Sequence, residues 1–432
     1  LVRLRAGADD TSVKPVLAHE LLDELPISTT VDGRTFRFGV AGYDLPLLAV
    51  EPDLADDERG GFRQRRLRTA FYAAQRQQAL RDVVLYESFG GRDCFDSPRA
   101  LHEELVRRDA PFDHLWVVRD QACAAPGTAV AVRKRSKEYY EAYARARYVV
   151  ANDHWPRWLA RRPDQTWVQT WHGPPLKKLG HDLARLPRAV REYRRISSQP
   201  SENWQYVVSP GAFATPILER AFPVAGEVIE TGLPRTDLLF RPEHDRVAAD
   251  VKRRLGVPAG KRVVLYAPSY RDHLRARDGY SLGPLLDLAA VRAALPDDTA
   301  VLFRKHRHMV GTLPEAASGA ALDVSGFPDA NELLLAADVL VTDYSSAIFD
   351  FATLNRPIVF FTPDLETYRD EVRGFSIDFE ADVPGPLLRT TDDVVEALRR
   401  PDQLAADYRE RYDAFVAKYC TLADGRASSR VV

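Results

Sequence analysis

The spacing of apolar and polar positions divides the chain into two repeating parts and a different beginning. Between residues 83 and 237, short apolar runs alternate with amphipathic stretches of helical spacing. Such runs are typical of buried parallel strands, and the stretches between them are typical of helices that cover a sheet. The predicted strands are 83–88, 114–118, 129–132, 148–152, 166–170, 206–210 and 227–232. This part therefore predicts a doubly wound α/β domain.

The same alternation begins again after residue 237. The predicted helices are 284–295 and 329–337, and the predicted strands are 262–268, 300–306, 321–326, 339–343 and 358–361. A last amphipathic stretch, 402–419, predicts one helix, and residues 424–432 are expected to form a frayed tail. The pattern therefore predicts an α/β fold with two Rossmann-type, doubly wound domains that face a cleft.

The first 65 residues follow another pattern. Residues 27–40 alternate around Asp32-Gly33, which predicts a hairpin, and an acidic loop follows at 51–61. We interpret residues 1–65 as a small β-rich appendage with a linker, and we expect the chain, which begins with Leu1, to be a piece of a longer protein. The predicted domains are 1–65, 66–237, 238–400 and, as a C-terminal helix and tail, 401–432.

Composition excludes several classes of protein. The 432 residues carry a net charge of −2 and no apolar run long enough to cross a membrane. The three cysteines are scattered without metal-type spacing and argue against a disulfide framework. No G-x-G-x-x-G follows the first strand and no Walker A lysine motif occurs, so a hydride-transfer enzyme or a P-loop NTPase has little support.

The stretch 338–361 carries the first chemical signal. An apolar run breaks at Asp343-Tyr344-Ser345-Ser346 and is followed by a helical pattern and a second apolar run. Two serine hydroxyls thus fall where a helix begins, and free backbone N–H groups there favour an anion such as phosphate. The alternative is that a serine simply caps the helix.

A histidine follows another predicted strand. In 166-TWVQTWHGPPLKKLG-180 the strand ends at His172-Gly173. An imidazole at the carboxyl end of a parallel strand points to where ligands bind, and it can accept a proton from an alcohol. The alternative is a loop histidine without a catalytic role.

Two further strand ends carry cationic groups. The segment 302-LFRKHRH-308 contains Arg304 and His306, and 266-YAPSYRD-272 contains Ser269 and Arg271. Such donors could neutralise a pyrophosphate and stabilise a phosphate leaving group. The alternatives are a solvated basic loop and a turn with a surface arginine.

The stretch 177–195 is basic and amphipathic. It includes Lys177, Lys178, Arg185 and Arg188, and leucines are interleaved with the cations. This pattern fits an anionic membrane surface or a polyanionic acceptor. An ordinary solvated helix face is the alternative, and nucleic acid has no support because no recognised motif is present.

Together these segments resemble the CDP-glycerol glycerophosphotransferase family, the teichoic-acid polymerases and primases. The resemblance spans residues 80 to 420 or so and rests on several ordered motifs. Two positions depart from the family pattern, because Pro174 stands where threonine is more usual and Arg307-His308 stands where proline is common. The matching segments are 84–105, 171-WHGPPLKKLG-180, 231-TGLPRTD-237, 266-YAPSYRD-272, Arg304 with His306, and 331–361.

The resemblance implies a GT-B-like fold and a transferase that moves a polyol phosphate, glycerol phosphate first, from a CDP-polyol to an acceptor hydroxyl. CMP is released, and the product is a teichoic-acid or capsule-type polymer of the cell envelope. His172 falls on the family's candidate general base, and His306 on the histidine that contacts the donor pyrophosphate. The implied donor-phosphate contacts are Ser345, Ser346, Asp343, Arg304, Arg271 and Ser269.

The implied partners are a CDP-polyol donor and a polyol-phosphate polymer or lipid-linked acceptor. For the acceptor or a peripheral membrane contact, the candidates are Lys177, Lys178, Arg185 and Arg188. We expect no metal site and no cofactor, with Mg²⁺ on the donor phosphates left open, and a cytoplasmic location at the inner face of the plasma membrane. The alternative function is a nucleotide-sugar-dependent GT-B glycosyltransferase.

Overall fold

The structure is a computed structural model, and the residues that it describes form two compact units. One unit contains Leu1–Cys94, Pro111–Val149 and Arg162–Gln165, and the other contains Phe95–Ala110, Val150–Arg161 and Thr166–Val432. The described residues are 24–31, 34–41, 45–51, 54–119, 123–185, 203–276, 279–280, 283, 285–309 and 319–432.

The first unit begins with an antiparallel sheet of three strands. These are β1 (Ile27–Val31), β2 (Arg34–Ala41) and β3 (Leu45–Glu51), in that order. Ile27 pairs with Phe38 and Val31 with Arg34, which confirms the predicted hairpin. The β-rich appendage is therefore present, and β3 is a strand that the sequence analysis did not predict.

Parallel strands follow in the first unit. They are β4 (Arg81–Glu87), β5 (Asp113–Val118), β6 (Val130–Arg133) and β7 (Ala146–Ala151), and they lie in the order β7-β4-β5-β6. Cys94 and Cys123 of this unit form a disulfide, although the sequence analysis took the scattered cysteines to argue against disulfides, and Cys420 is a free thiol.

The second unit contains two sets of parallel strands. The first set is β8 (Thr166–Gln169), β9 (Tyr206–Ser209) and β10 (Glu227–Glu230). The second is a six-stranded sheet in the order β15-β14-β11-β16-β17-β18. Its strands, with the short hairpin β12-β13, are β11 (Arg262–Ala267), β12 (Arg275–Ala276), β13 (Gly279–Tyr280), β14 (Thr299–Phe303), β15 (Leu322–Asp323), β16 (Val339–Thr342), β17 (Ile358–Phe361) and β18 (Leu387–Leu388).

Successive residues of the six-stranded sheet enter two different cores, because side chains alternate between the faces of a strand. Leu340 of β16 packs in one core with Phe349 and Phe415. Its neighbours Val339 and Val341 pack in the other core with Val394. Both faces of the sheet are thus covered by helices, as the continuous apolar runs predict.

The helices cover these sheets and lie between most strands. In the first unit the α-helices are Gly61–Arg66, Tyr72–Gln75 and Lys137–Arg145, with a π-helical turn at Leu67–Phe71 and a 3₁₀ turn at Phe89–Gly91. In the second unit they are Ser97–Arg107, Thr215–Ala221, His244–Arg254, Leu288–Ala294, Ala330–Ala336, Ala347–Ala352, Leu365–Thr367, Phe379–Asp382, Thr391–Arg399, Pro401–Asp407, Arg409–Tyr419 and Ala427–Val431, with 3₁₀ turns at Gly180–Arg185 and Pro234–Phe240 and a π-helical turn at Tyr368–Val372. No helix of the described residues is long and apolar enough to span a membrane.

The C-terminal stretch differs from its prediction in two ways. The single helix predicted at 402–419 is two helices, Pro401–Asp407 and Arg409–Tyr419, because Leu404 packs in one core and Tyr412 in the other. The prediction of a frayed tail is wrong, since Ala427–Val431 forms a helix whose first residues are buried.

The pairing of the strands decides which loops lie together. In the six-stranded sheet β11 pairs with β14 on one side and with β16 on the other. The loops after these three strands therefore meet at one edge, where parallel strands end and where open α/β sheets bind ligands. The predicted α/β class is confirmed, whereas nothing in the structure tests the predicted domain boundaries.

Candidate active site

The loop after β8 holds His172 in a fixed orientation. Trp171 adopts a left-handed φ of 53°, and its indole stacks on the His172 imidazole with 4.3 Å between the ring centroids. His172 Nδ1 lies 2.7 Å from the carbonyl oxygen of Asn152. Because a carbonyl only accepts, Nδ1 carries the hydrogen, and a neutral His172 has its lone pair on Nε2.

The electrostatic surroundings keep His172 neutral. Burial lowers the pKa of the His172 imidazole below its usual value, and the charge of Arg307 lowers it further. Asp153 and the carbonyl of Asn152 oppose this shift in the pKa but do not cancel it. Near neutral pH the imidazole is therefore mostly in its neutral form, which is the form of a base.

Gly173 brings the same loop against the loop after β16. It has a φ of 154°, and a Cβ at this position would lie 2.7 Å from Ser346 Oγ. Real Cβ atoms do not approach another atom that closely, so the contact needs a residue without a side chain. His172 is consequently close to the serine pair that the sequence indicated as a phosphate site.

Arg235 holds the loop of His172 and the loop of Ser346 together through hydrogen bonds. Its Nη1 donates hydrogen bonds to the carbonyl oxygen of His172 at 2.6 Å and to Asp96 Oδ2 at 3.1 Å. Its Nη2 donates to Asp350 Oδ2 at 2.6 Å, in the helix that begins after Ser346. The Arg235 side chain is only 11% exposed, so it joins the His172 loop to the serine loop inside the protein.

The loop after β14 carries the second histidine in the opposite tautomer. The backbone N–H of His308 donates to His306 Nδ1 at 3.2 Å. Because an N–H group only donates, Nδ1 holds the lone pair and Nε2 carries the hydrogen of a neutral imidazole. Burial lowers the pKa of His306 well below its usual value, and the neighbouring groups His308, Lys177, Arg307 and His172 act in the same direction.

The two predicted catalytic histidines are therefore brought together. They follow different strands, yet they are close enough that a charge on His172 lowers the pKa of His306. Both imidazoles are neutral, because the pKa of each is lowered. One ring presents a lone pair on Nε2 and the other presents an N–H at the same position. A base and a hydrogen-bond donor thus lie in one site.

Asp343, Ser269 and Arg271 also come together, and they bind mainly one another. Asp343 Oδ1 accepts from the N–H groups of Ser269 (2.8 Å) and Tyr344 (2.6 Å), and Oδ2 accepts from Arg271 (2.8 Å). Arg271 also donates from Nε and Nη2 to Asp364 at 2.7 and 3.0 Å. Arg271 is 1% exposed, so this cluster ties the loops after β11 and β16 together beneath the site.

The remaining donor-site candidates differ in what they face. Ser345 and Ser346 are half-buried, and Ser345 Oγ accepts from the N–H of Ala347 at 3.3 Å. Arg304 is half-buried and donates from Nη1 to the carbonyl oxygen of Phe327 at 2.6 Å. The serine hydroxyls thus border the site, whereas the Arg304 guanidinium holds the loop that begins at Phe327.

The structure describes only some of the basic candidates that follow His172. The segment of Lys177 and Lys178 pairs with Phe375 and Gly374, so it lies against the residues that follow the π-helical turn Tyr368–Val372. The Lys177 ammonium lies over the rings of Tyr270 (5.4 Å) and Tyr368 (5.6 Å). Arg185 ends a 3₁₀ turn and its side chain is not described, and Arg188 lies outside the described residues. Among the described residues, no three His, Cys, Asp or Glu side chains are grouped to hold a metal ion.

A comparison with known families decides the classification. Residues 70–432 match the family described as CDP-glycerol:poly(glycerophosphate) glycerophosphotransferase. This chain belongs to that family. The resemblance inferred from the motifs is confirmed, and the family is one of glycerophosphotransferases.

Similar proteins of known name support this classification. A teichoic acid glycerol-phosphate transferase of Staphylococcus aureus is 37% identical over 360 residues, which cover 81% of this chain and 92% of the relative. The teichoic acid poly(glycerol phosphate) polymerase of Bacillus subtilis is 36% identical over 375 residues, which cover 84% of this chain. The match spans only 50% of that polymerase, so the chain corresponds to about half its length.

A solved structure shows the same fold. The wall teichoic acid polymerase TagF superposes with a TM-score of 0.78 at 32% identity, over 86% of this chain and 92% of that one. The predicted GT-B-like fold class is thereby confirmed.

Sequence reasoning missed several residues of this candidate site. Arg235 was part of a motif that matches the family, but nothing in its local sequence showed that it binds the His172 carbonyl. Asp96, Asp350 and Asn152 gave no signal, because each acts through a partner far away along the chain.

Proposed function

We propose that this chain transfers glycerol phosphate from CDP-glycerol to the terminal hydroxyl of a poly(glycerol phosphate) acceptor and releases CMP. The observation that carries the proposal is the pair of neutral histidines in opposite tautomers, His172 with its lone pair on Nε2 and His306 with its hydrogen there. The family and the named relatives support the donor, the polyol and the acceptor.

In the proposed step the acceptor oxygen attacks the phosphorus that bears glycerol. Its proton moves to Nε2 of His172, and the bond from that phosphorus to the bridging oxygen breaks. The bond's electron pair stays on the bridging oxygen, which leaves as part of CMP. The Nε2–H group of His306 donates to a pyrophosphate oxygen and stabilises the charge that develops on the leaving group.

The predicted donor contacts take two roles in this proposal. Ser345 and Ser346 contact the donor phosphates with their hydroxyls, because they border the site next to Gly173. Asp343 and Ser269 position these loops through the cluster around Arg271, and Arg304 positions the loop at 327–328.

The proposal also assigns the acceptor and the donor to different predicted domains. Residues 66–237 supply the base and receive the acceptor, and residues 238–400 hold the CDP-glycerol. Acceptor contacts by Lys178, Arg185 and Arg188, a lipid-linked acceptor, a peripheral membrane contact and the inner face of the plasma membrane stay predictions.

The two histidine roles are tested with paired substitutions, since the amide of glutamine reaches the position of Nε2. The assay is CMP release from CDP-glycerol with a short poly(glycerol phosphate) acceptor. His172→Gln and His172→Ala should both lower kcat by about 10²–10⁴-fold, because an amide is not a base. His306→Ala should lower it by about 10²–10³-fold, and His306→Gln should recover part of that loss because an amide N–H can donate.

His244→Gln, in a helix outside the site, is the matched control and should leave kcat unchanged. Full activity of either His172 variant would refute the role of the base. CDP-ribitol and UDP-N-acetylglucosamine serve as competing donors. Transfer from the sugar nucleotide but not from CDP-glycerol would replace the proposal by a glycosyltransferase.

A further inference from the structure

Lys177 places a cation in the site without a carboxylate partner. Its ammonium lies over the faces of Tyr270 and Tyr368, and no Asp or Glu oxygen of the described residues lies within 4.0 Å of it. A half-buried ammonium normally gains a carboxylate or remains in water. Aromatic faces attract a cation but satisfy none of its hydrogen-bond donors.

The carboxylates nearest to Lys177 serve arginines instead. Asp343 binds Arg271 at 2.8 Å, and Asp272 binds Arg373 at 2.7 Å. The charged or titratable groups that face the ammonium are Asp272, Asp343, Arg271, Arg373, His306, Tyr270 and Tyr368.

Tyr270 connects this cation to the proposed donor site. Its ring lies 4.7 Å from the imidazole of His306, centroid to centroid, and the Lys177 ammonium lies 5.4 Å from the same ring. The ammonium and the Nε2–H of His306 are thus two donors around one aromatic ring. A cation and a hydrogen-bond donor beside the same ring fit an anion with several oxygens, such as a pyrophosphate.

We propose that Lys177 binds the pyrophosphate of the donor and stabilises the departing CMP, rather than contacting the acceptor or a membrane. This inference rests on the proposed function for the identity of the donor. As the bond to the bridging oxygen breaks, its electron pair adds negative charge to CMP, and the ammonium lies where it can balance that charge. Lys177 keeps its proton throughout, since His172 takes the proton of the acceptor.

The ionisation of Lys177 gives the role a pH signature. Burial lowers the pKa of the Lys177 ammonium to about 8, with Arg373 acting in the same direction and Asp272 and Asp343 opposing it. The charged form dominates at pH 7 and is lost as the pH rises through 8. In the wild type, kcat/KM for CDP-glycerol should therefore fall above pH 8 or so, because kcat/KM reports groups of the free enzyme.

The test compares Lys177→Met, which keeps the apolar stem, with Lys177→Arg, which keeps the charge at every pH of the assay. Lys261→Met, after the turn that precedes β11, is the matched control. Calorimetry on the folded chain measures the binding of CDP-glycerol, inorganic pyrophosphate and cytidine. Lys177→Met should bind the first two about 10- to 100-fold more weakly, with cytidine unaffected. Lys177→Arg should bind within a few-fold of wild type and lose the decline above pH 8.

Each remaining result decides between the two proposals. Equal affinities of wild type and Lys177→Met for pyrophosphate and CDP-glycerol would overturn the role of Lys177, and a lowered Tm beside equal affinities would make it a structural partner of Asp272. If the wild type binds pyrophosphate but not CDP-glycerol, and Lys177→Met loses the pyrophosphate binding, the anion-binding role of Lys177 would be supported. CDP-glycerol would then be refuted as the donor. A wild type that binds neither ligand would refute both.

Discussion

At the scale of single residues, the site depends on groups whose surroundings leave them one role. A backbone carbonyl fixes the hydrogen of His172 on Nδ1, and a backbone N–H fixes the lone pair of His306 there. Both tautomers are thus set by uncharged backbone groups. Burial lowers the pKa of both imidazoles, which keeps them neutral. The same chemical group can therefore act as a base at one strand end and as a donor at another.

Gly173 allows the loop after β8 to approach Ser346 closely, and Gly173→Ala tests this contact. The new Cβ would meet Ser346 Oγ at 2.7 Å, so the substitution should destabilise the protein by about 1–3 kcal/mol and lower kcat. Urea unfolding and CMP release measure the two effects. Adding Ser346→Ala should restore part of the stability, because the atom that clashes is removed, but not the activity.

Gly326→Ala is the control, since a Cβ there meets nothing within 4 Å. A Gly173→Ala variant as stable and as active as the control would contradict the close approach.

At the scale of elements, the carboxyl ends of parallel strands supply the site, and buried ion pairs hold the loops that follow them. Arg235 joins the loop after β8 to the helix Ala347–Ala352 through Asp350, and Arg271 joins the loops after β11 and β16. Such pairs contribute little net stability, yet removing one partner leaves a charge buried alone. Their value lies in the positions that they impose on the loops.

Arg235→Ala should therefore be costly at neutral pH. It leaves Asp350 and Asp96 without their cation, which should lower the free energy of unfolding by about 3–5 kcal/mol at pH 7. Burial already raises the pKa of Asp350 to about 6, against the attraction of Arg235. Near pH 5 this carboxyl is largely neutral, so the loss on substitution should be smaller there.

Urea unfolding of Arg235→Ala at pH 5 and pH 7 measures this difference. Arg241→Ala, which breaks a half-exposed pair with Glu103, is the control and should cost no more than about 1 kcal/mol at either pH. A loss for Arg235→Ala that is the same at both pH values would contradict the role of the Asp350 charge.

At the scale of the whole molecule, the last residues of the chain belong to the packed structure. Asp237 accepts hydrogen bonds from the N–H groups of Ala427 (2.9 Å) and Ser428 (2.8 Å), so it caps the C-terminal helix. Arg430 of that helix donates to the carbonyl oxygen of Thr231 at 2.7 Å, beside the segment that carries Arg235. The chain end thus supports the segment from which Arg235 reaches the site.

Asp237→Ala should release this helix. The lost cap should lower the free energy of unfolding by about 1–2 kcal/mol and increase hydrogen exchange over residues 427–431. Asp297→Ala, which removes an exposed partner of Arg292, should change neither quantity by a comparable amount. Unchanged exchange at the chain end in Asp237→Ala would show that the cap does not hold it.

The sequence determined the class of fold and the place of the candidate site. Apolar runs such as Val339–Thr342 must be buried on both faces, and that requirement alone yields parallel sheets with helices on either side. The residues that follow such strands then lie at the ligand-binding edge, which located His172, His306 and the serine pair. Local spacing was sufficient because burial of a strand depends on its own side chains.

The tertiary structure decided which of these groups border the candidate site and which bind one another. Arg271 appeared in the sequence as a donor contact, but Asp343 and Asp364 surround its guanidinium. Arg235 and Asp350 are 115 positions apart, and no local pattern can pair them. Lys177 belonged to a basic stretch, and only the folded chain packs it on Tyr270, the ring that also contacts His306. Hydrogen bonds and ion pairs are set by distances between remote segments, and those distances exist only in the folded chain.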